Sequence, residues 1–223
     1  MTFRLLISLA KKISRRELHR SIAHFIAQVP QGSKILNIGS GGTIKTEIEK
    51  NLKHKNITVQ STDIDPDRKP DFVDDITDTK LQPDGFDYIV CAEVIEHVTK
   101  PQVAADNLHR ILKPGGRCLV STPYIFPTHD APHDYFRYTE FGLRLLFSKF
   151  EVVELKAKTT WWETLLLLAW RNMWLGDMKS KLIIWFISIL IIPLLPVFYL
   201  LSRKSPNLAM TAGFIVELIK PVR

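Results

Sequence analysis

The segment KILNIGSGG, residues 34–42, is a short apolar run that ends in a glycine-rich turn. Such a run predicts a buried strand, and the glycines predict a turn whose backbone can adopt positive φ and approach a ligand closely. Residues 43–52 then have helical spacing, so the unpaired N–H groups of a helix start would face the turn. The segment is a poor dinucleotide site, because Ile44 stands where the third glycine of that fingerprint belongs.

The same alternation of strand and helix continues along the chain. Strands are predicted at 34–38, 57–62, 71–76, 86–92, 117–122, 150–156 and 213–219, and helices at 43–52, 102–112 and 139–147. This pattern predicts an α/β fold with a doubly wound, mostly parallel sheet and helices on both faces. Ligands of such sheets bind outside the carboxyl ends of the strands, where the polar residues of interest cluster.

Charge is distributed unevenly over the 223 residues. The net charge is +7, from 30 Lys+Arg and 23 Asp+Glu; residues 1–20 carry +5 and residues 156–223 carry +6, which leaves −4 for the middle. Basic ends beside apolar segments favour contact with an anionic membrane surface over nucleic-acid binding, although they could also be solubilising charges. Cys91 and Cys118 lie in apolar runs, which excludes a disulfide scaffold or a cysteine-based zinc site.

Residues 1–30 are expected to form a basic amphipathic helix rather than a signal peptide, because the apolar stretch 5–10 is too short. Its apolar face is predicted to lie in the headgroup region of a membrane.

Five motifs occur in a characteristic order: LNIGSGG (36–42), TDIDP (62–66), DDI (74–76), FDYIVCAEVIEHV (86–98) and LHRILKPGG (108–116). Together they resemble the class I S-adenosylmethionine (SAM)-dependent methyltransferases of the type 11 group. The resemblance covers roughly residues 32–156 and the strand at 213–219. It implies a Rossmann-like seven-stranded sheet, methyl transfer from SAM, and a SAM-binding domain at residues 31–160. An apolar helical insertion at 161–204 and a returning strand at 205–223 would complete the chain.

The resemblance also implies where SAM binds. Asp63 ends the second strand, 24 residues after Gly39, and would accept the ribose hydroxyls. Asp75 would bind the exocyclic amine of adenine, and the backbone N–H of Ile76 would bind a ring nitrogen. Ala92 and Glu93 would line the methionine end. The remaining expected cofactor contacts are Asn37, Gly39, Ser40, Gly41 and Ile64.

Two positions depart from the family pattern. Asn37 stands where an acidic residue is usual, which makes one polar anchor for the methionine amine neutral, and Thr43 stands where a third glycine is common.

The loop TPYIFPTHDAPHDYFRYT, residues 122–139, follows the fifth strand and is rich in groups that can move protons. His133 is the expected general base, His129 is a further candidate, and Arg137 is the expected clamp for an anionic group. A purely structural loop is the alternative. Two loop histidines are too few ligands for a metal, so none is expected. His97 is interpreted as a structural residue. The stretch PHDYFRYT resembles a subgroup linked to surface-glycan and lipid-linked sugar biosynthesis.

The apolar segment before the last strand is the second indication of a membrane. Residues 182–202 carry no charge and are long enough to span a bilayer, but Pro193 and Pro196 would break a straight helix. The chain must also return for its last strand. We therefore expect a monotopic wedge or a hairpin with residues 161–175, and a helical cap without membrane contact as the alternative.

These features predict a SAM-dependent methyltransferase at the cytoplasmic face of the membrane. Its acceptor would be a small molecule that is amphipathic or lipid-linked, possibly carrying a glycan. Methylation of a prenylated quinone or similar lipid is an alternative, and a non-catalytic SAM-binding membrane scaffold is an alternative of another class.

Overall fold

The computed structural model shows an α/β fold around a single seven-stranded sheet. It describes residues 3–41, 43–52, 56–175, 177–194, 196–198, 200 and 208–222, with the backbone alone at residues 3 and 172–175. The strands are β1 Lys34–Ile38, β2 Thr58–Asp63, β3 Phe72–Val73, β4 Phe86–Ala92, β5 Leu112–Pro123, β6 Glu151–Ala157 and β7 Gly213–Ile219. Their spatial order is 3-2-1-4-5-7-6. Only β7 runs against its neighbours, so the sheet is mixed but mostly parallel, as predicted.

Helices cover both faces of this sheet. They are α1 Phe3–Ala27, α2 Thr43–Asn51, α3 Pro101–Ile111, α4 Glu140–Leu146, α5 Trp161–Leu175 and α6 Met178–Ile191. One core joins α3 and α4 to the sheet through residues such as Leu108 and Phe147, and a second core on the other face joins α1 and α2 through Ile22 and Ile48. The doubly wound arrangement inferred from the sequence is therefore confirmed.

Two element boundaries differ from the sequence-based prediction for clear reasons. The segment LKPGG was expected to be a turn, but its backbone pairs with neighbouring strands, so β5 begins at Leu112 instead of residue 117. Gly115 makes this possible through φ +75°, and its N–H donates to the carbonyl of Lys220 at 2.8 Å. At the sheet edge, β3 contains two residues instead of six, because it has a neighbour only on the β2 side.

The apolar face of α1 is already buried. Leu6, Ile22 and Phe25 are at most 1% exposed, against α5 or against the sheet. The prediction that this face enters the headgroup region is therefore wrong: intramolecular packing occupies it. An ion pair between Arg16 and Glu163 at 2.6 Å further ties α1 to α5.

The apolar segment forms a pair of helices, α5 and α6, rather than one long helix. Trp170 is 1% exposed and its indole N–H donates to the hydroxyl of Ser188 on α6 at 3.0 Å. Part of the predicted 182–202 run lies outside the described residues, as do Arg203 and Lys204. Among the helices described, none is both long and apolar enough to cross a membrane.

The outer face of α6 and of the residues after it is apolar and exposed. It comprises Leu182, Ile183, Phe186, Ile187, Ile189, Leu190, Leu194, Val197 and Leu200. Exposed apolar side chains in such number on neighbouring residues are typical of a surface that contacts a membrane or another molecule. We call it the α6 apolar face.

The direction of β7 determines where α5 and α6 lie. Because β7 is antiparallel to β6, it begins at the edge of the sheet where β6 ends. The chain therefore leaves the sheet at Ala157 and returns at Gly213 on the same edge, which carries the carboxyl ends of the parallel strands. The segment that contains both helices therefore leaves and re-enters the sheet at the edge where ligands of such sheets bind.

Candidate active site

The carboxyl ends of the strands surround a cavity of about 520 Å³, a size typical of small-molecule sites. Its lining includes six predicted cofactor residues, namely Gly39, Asp63, Ile64, Asp75, Ile76 and Glu93. It also includes His97, Asp130, His133 and Tyr135. Residues from four strand ends and the loop after β5 therefore meet in one space.

Gly39 is required at the end of β1 for two reasons. Its φ is +82°, and a Cβ atom there would lie 2.6 Å from Cγ2 of Val94. A side chain would thus both strain the turn and clash with the segment after β4. At Gly41 a Cβ atom would lie 2.5 Å from the guanidinium of Arg68, which reaches across the turn. Gly42 lies outside the described residues.

The Asp63 carboxylate is fixed by its own backbone surroundings. Its Oδ2 accepts the N–H of Ser40 at 2.8 Å, and its Oδ1 accepts the N–H of Asp65 at 3.0 Å. Arg68 lies 3.6 Å from the same carboxylate. Each carboxylate oxygen has further acceptor capacity, so a pair of hydroxyls in the cavity can still bind to it.

Asp75 and Ile76 follow β3 and lie on the cavity wall. Oδ1 of Asp75 accepts the backbone N–H of Thr77 at 2.8 Å and its hydroxyl at 2.9 Å. The carbonyl of Ile76 accepts the side-chain amide of Asn107 at 2.8 Å, which anchors this segment to α3.

Four predicted cofactor residues do not line the cavity: Asn37, Ser40, Gly41 and Ala92. Ser40 acts through the bond to Asp63 described above. Asn37 is 1% exposed, and its side-chain N–H donates to the carbonyl of Gly39 at 3.4 Å. It lines a separate cavity of about 160 Å³ beside α2.

Glu93 directly follows β4 in the left-handed conformation, with φ +57°. Its Oε1 accepts the hydroxyl of Ser121 at 2.7 Å and the ammonium of Lys158 at 2.8 Å. Burial raises the pKa of Glu93, but the charge and hydrogen bond of Lys158 and the bond from Ser121 outweigh it, so the pKa lies below its ordinary value. Glu93 is therefore an ionised, paired group.

Glu96 lies three residues further on and has the opposite environment. Its side chain is fully buried, and neither carboxyl oxygen makes a hydrogen bond among the described residues. Burial and the nearby charge of Glu93 raise the pKa of Glu96 well above its ordinary value. Neighbouring acids with pKa values displaced in opposite directions are common at functional sites.

The loop after β5 brings only one of the three predicted catalytic residues to the cavity. His133 lines it, and its Nδ1 lies 2.8 Å from the hydroxyl of Tyr135. His129 and Arg137 are not among the residues that line it. Arg137 binds the carboxylate of Asp134 through two nitrogens, one of them at 2.6 Å, so its role as a clamp for an external anion stays a prediction.

Asp134 organises this loop. Its side chain is 2% exposed, and besides Arg137 it accepts the backbone N–H of His129 at 2.9 Å. The bonds from Arg137 and His129 lower the pKa of Asp134 to about 2. The ion pair between Asp134 and Arg137 therefore stabilises the conformation of this loop.

Sequence reasoning missed four residues of the site: Glu96, His97, Lys158 and Tyr135. Glu96 and His97 belong to the EVIEHV motif, which could have indicated them. No sequence motif could have indicated Lys158, because it contacts Glu93 although the two residues are 65 positions apart in the sequence.

With this geometry established, comparison with known proteins identifies the family. Residues 11–164 match the family described as methyltransferase domain, over more than half of the chain. The chain belongs to this methyltransferase family, whose members use SAM as methyl donor.

Relatives of the methyltransferase domain include the ubiquinone biosynthesis O-methyltransferase of Xylella fastidiosa, 31% identical over 108 residues, or 41% of this chain and 42% of the relative. The chain thus spans less than half the length of the curated relatives it matches.

Among solved structures, a geranyl diphosphate methyltransferase in complex with SAM has a TM-score of 0.61 at 12% identity. The similarity covers 91% of this chain and 84% of that structure's chain. A Haloferax volcanii methyltransferase in complex with the activator Trm112 has a TM-score of 0.59 at 16% identity, covering 99% and 98%. Both structures support the fold.

We predict that Asp134→Asn destabilises the methyltransferase domain by about 2 kcal/mol at pH 7, because the pKa of this group falls on folding from 3.8 to about 2. A lowered acid pKa stabilises the fold above the unfolded value, and this contribution is lost as the pH falls towards 2. The difference between the variant and the parent should therefore narrow between pH 4 and pH 2 in urea unfolding. Asp130→Asn, at a side chain that is 74% exposed, is the control and should have little effect. Equal losses in both variants would contradict the role of Asp134.

Proposed function

We propose that this protein transfers a methyl group from SAM to a hydroxyl of an amphipathic or lipid-linked acceptor at a membrane surface. The observation that carries this proposal is the shared cavity, whose lining includes both the residues expected to hold the cofactor and the pair His133 and Tyr135. A cofactor and a proton acceptor in one cavity are what a direct transfer between two bound molecules requires.

The residues present fit SAM. The left-handed Gly39 leaves open space at the end of β1, where a side chain would fill the turn. Asp63 offers carboxylate oxygens for a ribose, and Asp75 offers one for an amine of adenine. When bound there, SAM supplies a methyl group activated by a positively charged sulfur. Gly39 and Glu93 would lie along its methionine end, and Ser40 would hold Asp63 in place.

His133 is proposed as the base that takes the proton of the acceptor hydroxyl. It lies on the cavity wall, and its ring is oriented by the hydroxyl of Tyr135 at 2.8 Å. An imidazole can accept a proton near neutral pH, as this step requires. We propose that Arg137 and Asp134 position the loop that carries His133.

The α6 apolar face supports a lipid surface as the working environment. It is a broad exposed patch on a segment that begins and ends beside the cavity. Exposed Lys179 near the start of α6 would lie at the level of anionic headgroups. With α1 buried, attachment would depend on this face. The basic charge and the buried free thiols Cys91 and Cys118 fit the cytoplasmic side.

The relatives support the acceptor class. The curated matches are O-methyltransferases of ubiquinone biosynthesis, a pathway named for a lipid. A prenylated phenol or quinone precursor is therefore the second candidate acceptor, beside a lipid-linked glycan. SAM-dependent labelling of a membrane-lipid extract, followed by mass spectrometry of the labelled product, decides between them. Absence of any labelled product would favour the scaffold alternative.

We predict that Asp63→Asn weakens binding of S-adenosylhomocysteine about 10- to 150-fold, because hydrogen bonds to a charged acceptor contribute roughly 1.5–3 kcal/mol. Isothermal titration calorimetry measures this change. Asp67→Asn, at an exposed residue in the turn after β2, is the control and should bind as the parent does. Unchanged affinity in Asp63→Asn would refute the assignment of the ribose site.

We predict that His133→Ala lowers turnover by about 10²-fold while S-adenosylhomocysteine binding stays intact, because general-base catalysis contributes about that factor. The measurement uses the acceptor identified by lipid labelling. If kcat is unchanged, or if cofactor affinity falls in parallel with activity, His133 is not the base.

We predict that Leu190→Glu weakens binding to anionic phosphatidylglycerol vesicles at least several-fold, because a charge would enter the apolar layer. Leu145→Glu on α4 is a matched control, since both leucines are 74% exposed. Flotation of the protein with vesicles measures the effect. Equal binding by both variants would show that the α6 apolar face is not the attachment surface.

A further inference from the structure

The buried Glu96 carboxyl group has no cation of its own among the described residues. Lys158 is engaged by Glu93 at 2.8 Å, and Arg137 is engaged by Asp134. Both oxygens of Glu96 lack a hydrogen bond although the side chain is fully buried. Since an unpaired buried acid is costly, such a group calls for a partner that the protein chain does not supply.

Two imidazoles face this carboxyl group. Nε2 of His97 lies 3.7 Å from Oε1 of Glu96, and the rings of His97 and His129 are 5.1 Å apart. One donor atom from each of the three residues lies within 4.8 Å of the other two. Two donors on one tetrahedral ion, each at about 2.1 Å, are about 3.4 Å apart, so the nearest pair is close to the required spacing.

The hydrogen bonds of His97 leave the correct ring nitrogen available. Its Nδ1 lies 2.7 Å from the backbone carbonyl of His133. Because a carbonyl can only accept, Nδ1 carries the proton and donates it, and Nε2 presents its lone pair towards Glu96. A backbone carbonyl that orients a histidine in this way is the usual second partner of a metal-bound imidazole.

Asp134 holds the backbone of His129, because its Oδ2 accepts the backbone N–H of His129 at 2.9 Å. The same oxygen lies 3.3 Å from Nδ1 of His129, but Nδ1 makes no hydrogen bond among the described residues.

We propose that Glu96, His97 and His129 bind a divalent cation of the first transition row, such as Zn²⁺ or Mn²⁺. Two imidazoles with one carboxylate are a donor set that such ions accept while keeping positions open for another ligand. Asp130, whose Oδ2 lies 3.9 Å from Nε2 of His97, flanks the open side. The expectation of no metal considered only the loop histidines, whereas the fold adds Glu96 and His97 from the segment after β4.

The position of this site indicates its use, which rests on the proposed function. His97 and Asp130 line the cavity, so the ion would bind the acceptor oxygen and lower the pKa of its hydroxyl. The O–H proton passes to His133, the oxygen forms a bond to the methyl carbon, and the S–CH₃ bond breaks with its electron pair staying on sulfur. The products are the methyl ether and S-adenosylhomocysteine.

The test uses the full chain freed of metal with a chelator and titrated with Co²⁺, whose visible absorption reports coordination without any need for activity. One saturable Co²⁺ per chain is expected, displaced by Zn²⁺. Glu96→Gln and His97→Ala should each weaken Co²⁺ binding at least tenfold. His24→Ala, at an exposed histidine of α1, is the control and should leave it unchanged.

Absence of a saturable site in the parent protein, or a site unaffected by Glu96→Gln and His97→Ala, would overturn the proposal. If circular dichroism shows that one of these variants is unfolded, His129→Gln replaces it in the comparison. Calorimetry with S-adenosylhomocysteine on the metal-free protein separates the two proposals, because failure there contradicts the methyltransferase site and leaves the metal site standing. Methyl transfer that persists in chelator would overturn the role of the ion in the reaction.

Discussion

The pairing of β7 with both β5 and β6 is the constraint on which the rest of the molecule depends. Because this buried strand must enter the sheet between two others, the chain beyond β6 has to come back to the edge it left. The segment that holds the apolar helices therefore starts and ends at the carboxyl edge of the sheet, and α5 packs against α1. Lys158 is fixed by the same pairing, since its backbone N–H donates to the carbonyl of Gly213 at 2.8 Å. The sheet thus determines both the charge beside Glu93 and the location of the exposed apolar surface.

Charge pairing distinguishes the acids of the site that have a structural role from the one that can bind a ligand. Glu93 and Asp134 each have a cationic partner and low pKa values, and they act as fixed framework. Glu96 has no such partner among the described residues and remains available to a ligand. Arg137 is engaged by Asp134, whereas His133 lines the cavity.

Much of this architecture could be predicted from the sequence, because local pattern and turn chemistry agree. Strand β7 has its predicted boundaries, because the apolar residues between Gly213 and Lys220, interrupted only by Glu217, favour a strand. The family resemblance implied both Asp63 and Asp75 as cofactor residues, and both line the cavity at the ends of the strands. The cluster of Glu96, His97 and His129 was not foreseen, because the contact spans more than thirty residues and depends on the fold of an irregular loop. The burial of α1 was missed because amphipathicity does not tell which apolar surface a helix meets.

Helix α1 has a consequence for how the protein unfolds. Its 25 residues extend for about 37 Å. Leu6 and Ala10 belong to the core shared with α5 and α6, whereas Ile22 and Phe25 belong to the core beneath the sheet. One rigid element therefore contributes to two hydrophobic cores that otherwise have little in common. We expect the sheet and the apolar helices to melt in one cooperative transition, and a chain that starts after residue 30 to expose both cores at once and aggregate.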